Sequence, residues 1–252
     1  MKVVLVHVVI GSLMLLEVGK QQDYPSAEGY TLSNEFIFAM PRPQNSLPHV
    51  IITTSSSLPI VTTLAIPGMG ITVTKHITKY SPADIVLPDD VRFEKDGKQN
   101  KTVIVTSSGS VSVYAFDNEY CCGDGLQVLP SSQLGTRYYI ANYTPYPRSS
   151  PPNLVISALT SNTSVYIKTK TGPEQSAVLS RFESYRFTGN FIGSDNYDLS
   201  GTLVESNYPI AVISSGKTVV PEVGGSSHSG LADQMPPVVL TVGGKISFLY
   251  PF

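Results

Sequence analysis

The side chains best suited to covalent or metal chemistry are two adjacent cysteines, Cys121 and Cys122, which are the only cysteines in the chain. Thiolates can bind a metal, exchange disulfides or attack a substrate. Two of them cannot fill the four positions of a structural zinc site. Three states stay open: a disulfide between the two neighbours, bridges to another chain, or two free thiols. We place the neighbouring disulfide first, because Gly123 and Gly125 would tolerate the strained turn that it forces.

The histidines give no recognisable catalytic or metal-binding spacing. His7, His49, His76 and His228 lie on separate segments, without the HxH or HxxxH spacing of zinc ligands. His228 stands among serines in GGSSHSG (224–230), but the chain has no G-x-S-x-G nucleophile elbow. We predict no catalytic residue, no bound metal and no cofactor, and therefore no enzyme. A secreted hydrolase is kept as an alternative.

Acidic residues cluster in DDVRFEKDGK (89–98) and in GSDNYDLSG (193–201). Carboxylates of this kind bind Ca²⁺ in extracellular proteins, but the EF-hand spacing is absent and Asp-Gly is a common turn signal. The sequence therefore favours solvated turns between strands. A calcium-dependent glycan-binding protein is the alternative.

Composition indicates an all-β protein. Charged residues make up 14% of the chain, against about a quarter in typical soluble proteins. The 20 glycines and 19 prolines are distributed throughout, as expected for many turns. The net charge of −2 gives no overall field for nucleic acid, so we predict no nucleic-acid partner.

The first residues are typical of a secretory signal. A basic Lys2 precedes an apolar stretch, Val3 to Leu16, which is shorter than the roughly 20 residues that span a bilayer. We predict a signal peptide over residues 1–20, a secreted chain, and no membrane insertion of the mature protein. Three Asn-x-Ser/Thr triplets, at Asn100, Asn142 and Asn162, are the predicted glycosylation sites.

Short Val/Ile/Thr/Tyr runs recur after the signal and predict strands, among them 60–66, 71–78, 202–206 and 210–214. These runs repeat as a set. Residues 49–64 align with 153–168 at an offset of 104, and 106–115 align with 205–214 at an offset of 99. Three head segments also match: EFIFAMP (35–41), RYYIANY (137–143) and KISFLYP (245–251). This pattern predicts an internal duplication of a β unit of roughly a hundred residues. We place two similar β-sandwich- or barrel-like modules at 21–122 and 123–252, the second ending at the head strand of a possible third.

Several motifs resemble one family. GDGLQVLPSSQLGTRYYIANY (123–143) resembles the Asp-Gly, Leu-Pro, Leu-Gly-Thr-x-Tyr signature of the N-terminal domain of IgGFc-binding protein. GLADQMPPV (230–238) is similar to its Gln-Leu-Pro-Pro motif, with Asp233 where Glu is usual. The likeness extends from about Asn34 to Phe252. It implies a secreted, β-rich module of mucin-like glycoproteins.

The chain also departs from that family. The family's cysteines around the segment 216–230 are missing here, and so are the Cys-rich modules that accompany this domain in mucin-like members. Fc binding is therefore not assigned to any residue.

Tyrosines supply the candidate binding surface. Tyr138, Tyr139, Tyr143 and Tyr146 cluster beside a Pro-rich stretch. Exposed tyrosines suit protein or glycan contacts, because rigid rings give contact area at a small entropic cost. Alternation along a strand predicts that Tyr138 or Tyr139 belongs to the core. Tyr143 and Tyr146 are the predicted contact residues.

We therefore predict a secreted, non-enzymatic binding or scaffold module in mucus, adhesion or host defence, with an extracellular protein or glycan as its partner. A structural spacer within a longer extracellular chain is the remaining alternative. The oligomeric state is not indicated by the sequence.

Overall fold

The fold was analysed in a computed structural model of the chain. The structure describes residues 34–41, 47–117, 124–143, 151–170, 172–188, 199–219, 229–240 and 246–248. The predicted signal, both cysteines, Tyr146 and His228 lie outside these residues. Within the described ranges, no helix has the length and apolar character needed to cross a bilayer.

The described residues form strands joined by turns and short 3₁₀ helices, which confirms the all-β prediction. The strands in chain order are β1 (Glu35–Phe38), β2 (Pro48–Thr53), β3 (Ile60–Ile66), β4 (Ile71–Ile77), β5 (Ala83–Val86), β6 (Gly97–Gln99), β7 (Val103–Ser107), β8 (Ser112–Asp117), β9 (Asp124–Val128), β10 (Gly135–Tyr139), β11 (Asn153–Ala158), β12 (Thr163–Lys168), β13 (Gln175–Leu179), β14 (Ser184–Thr188), β15 (Leu203–Val219), β16 (Ser229–Gln234), β17 (Val238–Leu240) and β18 (Ile246–Phe248).

Two four-stranded sheets face each other in the first half of the chain. Their strand orders are β1-β7-β3-β4 and β5-β2-β8-β9. Alternate side chains of both sheets, such as Phe38, Leu64, Val50 and Val113, are buried in one common core. Alternation of apolar and polar residues explains this arrangement, because successive side chains of a strand point to opposite faces. We call this unit the first sandwich.

The second half forms a similar unit around one long strand. β15 is 17 residues long and joins two sheets. Its first part pairs with β10 and β12, and its second part pairs with β11 and β16. The core between these sheets contains Tyr138, Ile156, Val165 and Val212. We call this unit the second sandwich.

The two sandwiches have the same strand order. One sheet of the second sandwich has the order β10, first part of β15, β12, β13, which corresponds to the order β1, β7, β3, β4 in the first. The other sheet has the order β14, β11, second part of β15, β16, which corresponds to the order β5, β2, β8, β9 in the first sandwich. This order agrees with the repeat seen in the sequence. The duplication of the sequence itself stays a prediction.

Strand register supports the sequence offsets with one correction. Val50 pairs with Ala115 and Leu154 pairs with Ser214, which agrees with the offsets of 104 and 99. For β3 the offset of 104 is wrong by one residue. That offset aligns the buried Leu64 with the exposed Lys168. In the structure Leu64 pairs with Val105 as Ile167 pairs with Val204, so Leu64 corresponds to Ile167.

Pro209 explains how β15 serves two sheets. The sequence predicted two separate strands, 202–206 and 210–214, which the structure joins into one. The ladder with β12 ends at Ser206, and the ladder with β11 begins at Ile210. Proline has no N–H to donate, so it fits in the three residues between the ladders.

The first sandwich extends beyond its predicted end. β9 pairs with β8 from Val113–Val128 to Asp117–Asp124, so these residues complete a sheet of the first sandwich. The predicted boundary between residues 122 and 123 falls before this strand. Both cysteines lie outside the described residues, between β8 and β9 in the sequence.

The two sandwiches pack through apolar residues on the outer side of β1 and β7. Ile37 and Ile104 form a cluster with Leu129, Leu134 and Ala211, against which Phe182 also packs. A second cluster joins Ala39, Phe93 and Val155. We call these two clusters the joint.

A polar segment of the first sandwich also extends the second. β6 adds to the edge of β14, with Lys98 opposite Tyr185. Three buried hydroxyls continue this contact, because Ser184 Oγ lies 2.6 Å from Thr102 Oγ1 and 2.8 Å from Ser157 Oγ. The two sandwiches therefore share a sheet as well as a hydrophobic contact.

Candidate functional site

The two signature segments found in the sequence meet in space. The Asp124 carboxylate accepts a hydrogen bond from the Ala232 backbone N–H. The Leu129 N–H donates to Gln234 Oε1 over 2.9 Å. Both contacts join residues that are more than a hundred positions apart in the chain, so the signatures fix how β9 and β16 lie beside each other.

Tyr138, from the first signature segment, links β10 to β15. Its side chain is fully buried, and its hydroxyl accepts a hydrogen bond from the Gly135 N–H over 2.8 Å. The same hydroxyl donates to the Ile210 carbonyl oxygen. A buried backbone N–H and carbonyl must find partners, and here one phenol serves both.

Gly135 and Pro237 pack with no room between them. A Cβ at position 135 would lie 2.5 Å from Pro237 Cβ, far inside van der Waals contact. This explains why glycine precedes Thr-x-Tyr. Gly135, Tyr138 and Pro237 are buried, so they belong to the frame of the second sandwich and not to its surface.

The exposed residues alternate with this buried frame. Tyr138 and Ile140 point into the core, while Tyr139, Ala141 and Tyr143 are exposed, continuing the period of a strand. Tyr139 is 38% exposed and Tyr143 is 48% exposed. We call Arg137, Tyr139, Ala141 and Tyr143 the aromatic strip.

Arg137 orders one end of the strip. Its guanidinium carbon lies 5.9 Å from the centre of the Tyr139 ring. Its Nε lies 3.4 Å from the Glu205 carboxylate on the neighbouring strand. The strip thus combines rings with a cation and an anion, which suits contact with a protein or a glycan.

The structure places the predicted tyrosines on different sides of the sheet. Of the pair Tyr138 and Tyr139, Tyr138 is the core residue. Tyr143 is exposed as a contact residue needs to be, and Tyr139 is an additional surface residue that we did not assign to the contact surface. Tyr146 lies outside the described residues. Tyr139 could have been assigned to the surface from the sequence, because it follows the buried Tyr138 and successive side chains of a strand point to opposite faces.

The predicted glycosylation sites differ in access. Asn162 is exposed in a turn with φ of 58°, and its sequon serine is exposed as well. Asn100 is also exposed. Asn142 is half-buried, and its Nδ2 donates to the buried Ser214 Oγ over 2.6 Å. A glycan is attached through Nδ2, so Asn142 would need another side-chain conformation to carry one.

The acidic segment 89–98 is not the purely solvated turn that the sequence favoured. Asp89 binds the buried guanidinium of Arg92. Asp96 accepts a hydrogen bond from the Thr188 N–H over 3.1 Å and lies 3.7 Å from Arg186 Nε. These carboxylates neutralise cations and cap a strand at the joint. Among the described residues, no group of three or more His, Cys, Asp or Glu side chains is placed to hold a metal.

One His–carboxylate pair is present in the described structure. His49 Nδ1 lies 2.9 Å from Asp84 Oδ1 on the outer side of β2 and β5. His76 is exposed on β4. The serine-flanked His228 lies outside the described residues.

Glu35 places an ionisable group inside the joint. Its side chain is 6% exposed, and its Oε2 has no hydrogen-bond partner among the described residues. Burial raises the pKa of the Glu35 carboxyl, against the opposing effects of the Arg181 charge and the Ser131 hydroxyl. The protonated form is therefore favoured by folding.

This pKa shift predicts a pH-dependent stability. Because the folded protein holds the Glu35 proton more tightly than the unfolded chain, the contribution of Glu35 is present at low pH. This stabilising contribution is lost as the pH rises from about 4.3, the pKa of a glutamate in an unfolded chain, through the higher pKa of Glu35 in the folded protein. We expect Glu35→Gln to gain stability relative to the unmodified protein across this window. Urea unfolding at several pH values measures this, and a difference that stays constant with pH would contradict it.

The comparison with known families gives one match. The family model described as IgGFc binding protein matches residues 124–243. This range contains the aromatic strip and both signature segments except Gly123, and it confirms the resemblance there. The likeness proposed for the first sandwich lies outside the match and stays a prediction. Neither a curated protein nor a solved structure matches the chain significantly.

Proposed function

We propose that this chain is a secreted, non-enzymatic binding module that contacts an extracellular protein or glycan through the aromatic strip. The observation that carries this proposal is the match of residues 124–243 to a family of binding domains. The predicted signal and the exposed sequon asparagines, Asn100 and Asn162, support an extracellular setting. A role in mucus, adhesion or host defence would follow from that setting.

The geometry supports the strip as the contact surface. The signature residues Leu129, Tyr138 and Gln234 are buried and hydrogen-bonded, so they are not accessible to a partner. The strip is held on the outer side of the same segment, next to the buried Tyr138. Tyr139 lies on β10, and a ring held by a strand loses little conformational entropy on binding.

Binding to extracellular ligands tests this function. The purified chain would be immobilised and exposed to immunoglobulin Fc fragments, mucus glycoproteins and a glycan array. We expect one of these classes to bind. The double variant Tyr139→Ser/Tyr143→Ser should lower the association constant at least about tenfold, because aromatic residues carry a large share of interface energies.

The control is Val178→Ser, which removes another exposed apolar side chain, 57% accessible, on β13 at the opposite edge of the sheet from β10. It should bind as the unmodified chain does. Equal loss in both variants would contradict the assignment to the strip. Absence of binding to every class would contradict the binding function and favour the structural spacer.

A further inference from the structure

The joint is an interface between two units with the same strand order, so each of its halves has a counterpart in the other unit. The first sandwich contributes the outer side of β1 and β7, with Ile37 and Ile104 paired across the two strands. We call this side of a sandwich its projecting face. The second sandwich contributes Phe182, Ala211 and Val155, which we call its receiving face.

The projecting face of the second sandwich is uncovered in part. β10 and the first part of β15 correspond to β1 and β7. Tyr139 pairs with Leu203 as Ile37 pairs with Ile104. Tyr139 is therefore the counterpart of Ile37, and Leu203 is the counterpart of Ile104. Ile37 is fully buried, whereas Tyr139 is 38% exposed and Leu203 is half-buried. The aromatic strip is therefore the counterpart of a surface that is covered in the first sandwich.

The receiving face of the first sandwich is uncovered as well. Tyr80 lies between β4 and β5 as Phe182 lies between β13 and β14. A cation stacks on each ring, Lys79 on Tyr80 at 4.8 Å and Arg181 on Phe182 at 4.5 Å. Phe182 packs in the joint, but Tyr80 is 82% exposed, the largest value among the exposed apolar and aromatic side chains described.

The remaining counterparts on this face are suited to contact. Val155 corresponds to Ile51 and Ala211 corresponds to Ser112, since both pairs occupy equal positions in the ladders of β2 with β8 and of β11 with β15. Ile51 and Ser112 are half-buried. A small residue at 112 leaves room for a ring, as Ala211 does in the joint.

We propose that a second copy of this chain occupies the aromatic strip. The first sandwich of that copy packs on the second sandwich of the first copy. Its placement matches that of the second sandwich on the first within one chain. The projecting face of one copy, with Tyr139 and Leu203, then covers the receiving face of the next, with Tyr80 and Ile51. This proposal rests on the proposed function, because it names the partner of the same strip. The joint supports this proposal, because each chain carries an uncovered counterpart of both sides of that interface.

The charges at the two faces differ from those in the joint. In the joint, the Glu35 carboxyl lies near the Arg181 cation. In the contact between copies, Arg137 takes the place of Glu35 and Lys79 takes the place of Arg181. Glu205, which is 3.4 Å from Arg137 Nε on the same face, offsets one of these two cations.

Such a contact is head-to-tail, so its two surfaces differ. Head-to-tail contacts form open chains or closed rings, whereas symmetric dimers use the same patch twice. Interfaces between domains of one chain resemble transient protein contacts. We therefore expect association that depends on concentration and becomes measurable in roughly the micromolar to millimolar range.

Sedimentation velocity with the full chain and two single variants tests the arrangement. The unmodified chain should form larger species as its concentration rises. Tyr80→Glu removes the receiving face and Tyr139→Glu removes the projecting face. Each variant alone should associate at least about tenfold more weakly, because the contact area of a ring is lost and the carboxylate must be desolvated.

Mixing the two variants separates this geometry from a symmetric one. The Tyr80→Glu chain keeps a projecting face and the Tyr139→Glu chain keeps a receiving face, so their mixture should form a one-to-one dimer and nothing larger. Val178→Glu is the control, since Val178 is 57% exposed on β13 and belongs to neither face. It should associate as the unmodified chain does.

Three results would overturn the proposal: a monomer at all concentrations, association unchanged in both variants, or no dimer in the mixture. The proposed function fails differently, through loss of binding to every extracellular ligand. Ligand binding by a chain that never self-associates would overturn the second-copy proposal and leave the binding function standing. Circular dichroism of each variant confirms that a loss of association does not come from unfolding.

Discussion

Replacing Phe93 by alanine is expected to lower the free energy of unfolding by about 3–5 kcal/mol, the usual cost of removing a buried phenylalanine ring. Phe93 is fully buried between Ala39 and Val155, at the joint of the two sandwiches. Its carbonyl oxygen also accepts a hydrogen bond from Arg186 Nη1 over 3.2 Å. A cavity at this position weakens the contact between the sandwiches, while their separate cores stay intact.

The loss should also change how the protein unfolds. Each sandwich has its own core, so a weak joint allows one to unfold before the other. Differential scanning calorimetry of Phe93→Ala should therefore show two transitions in place of one. Leu58→Ala is the control, because Leu58 is 74% exposed and its loss should have little effect. A single transition with an unchanged midpoint would show that Phe93 does not hold the joint.

The second large effect is expected from Gly135→Ala. The added Cβ would lie 2.5 Å from Pro237 Cβ, and both atoms belong to buried backbone segments that cannot rotate away. Overpacking of this kind costs about 1–3 kcal/mol or more. The new methyl group also strains the hydrogen bond from the Gly135 N–H to the Tyr138 hydroxyl, which is 2.8 Å long.

A second-site change shows whether the clash is the cause. Pro237→Gly removes the Cβ that the new methyl group would meet, so the double variant should recover part of the stability lost in Gly135→Ala. Urea unfolding of both single variants and the double variant gives the coupling free energy. Ser132→Ala, at an exposed neighbouring position, should leave the unfolding free energy almost unchanged. Additive effects of the two changes would contradict a direct contact between positions 135 and 237.

Much of the fold could be predicted because its inner strands alternate strongly. The pattern of ITVTKHIT predicted β4, and residues 60–66 predicted β3 with its observed bounds. The strands that escaped prediction are short or polar, such as β6, which is GKQ, and β9, which begins Asp-Gly. Their backbone is ordered by a neighbouring strand and not by their own apolar pattern.

The site could be predicted only in part, for the same reason. Alternation around Tyr138 showed that one of two neighbouring tyrosines would be buried, and Tyr143 could be placed on the surface. The sequence did not show that Gly135 touches Pro237, or that Asp96 binds Thr188, because these contacts join distant segments. Offsets between repeats gave the correspondence of strands but not the joint, which depends on how two folded units meet.

The addition of β6 to β14 determines how the family-matched segment would behave by itself. Expressed alone, residues 124–243 would lack β6, so the backbone groups of β14 that face it would be left open to solvent. The segment would also carry β9 without β8, exposing Leu126 and Val128, which are buried in the whole chain. An open strand edge beside an apolar strand is a template for aggregation. Soluble material therefore requires the first sandwich to be kept with the second.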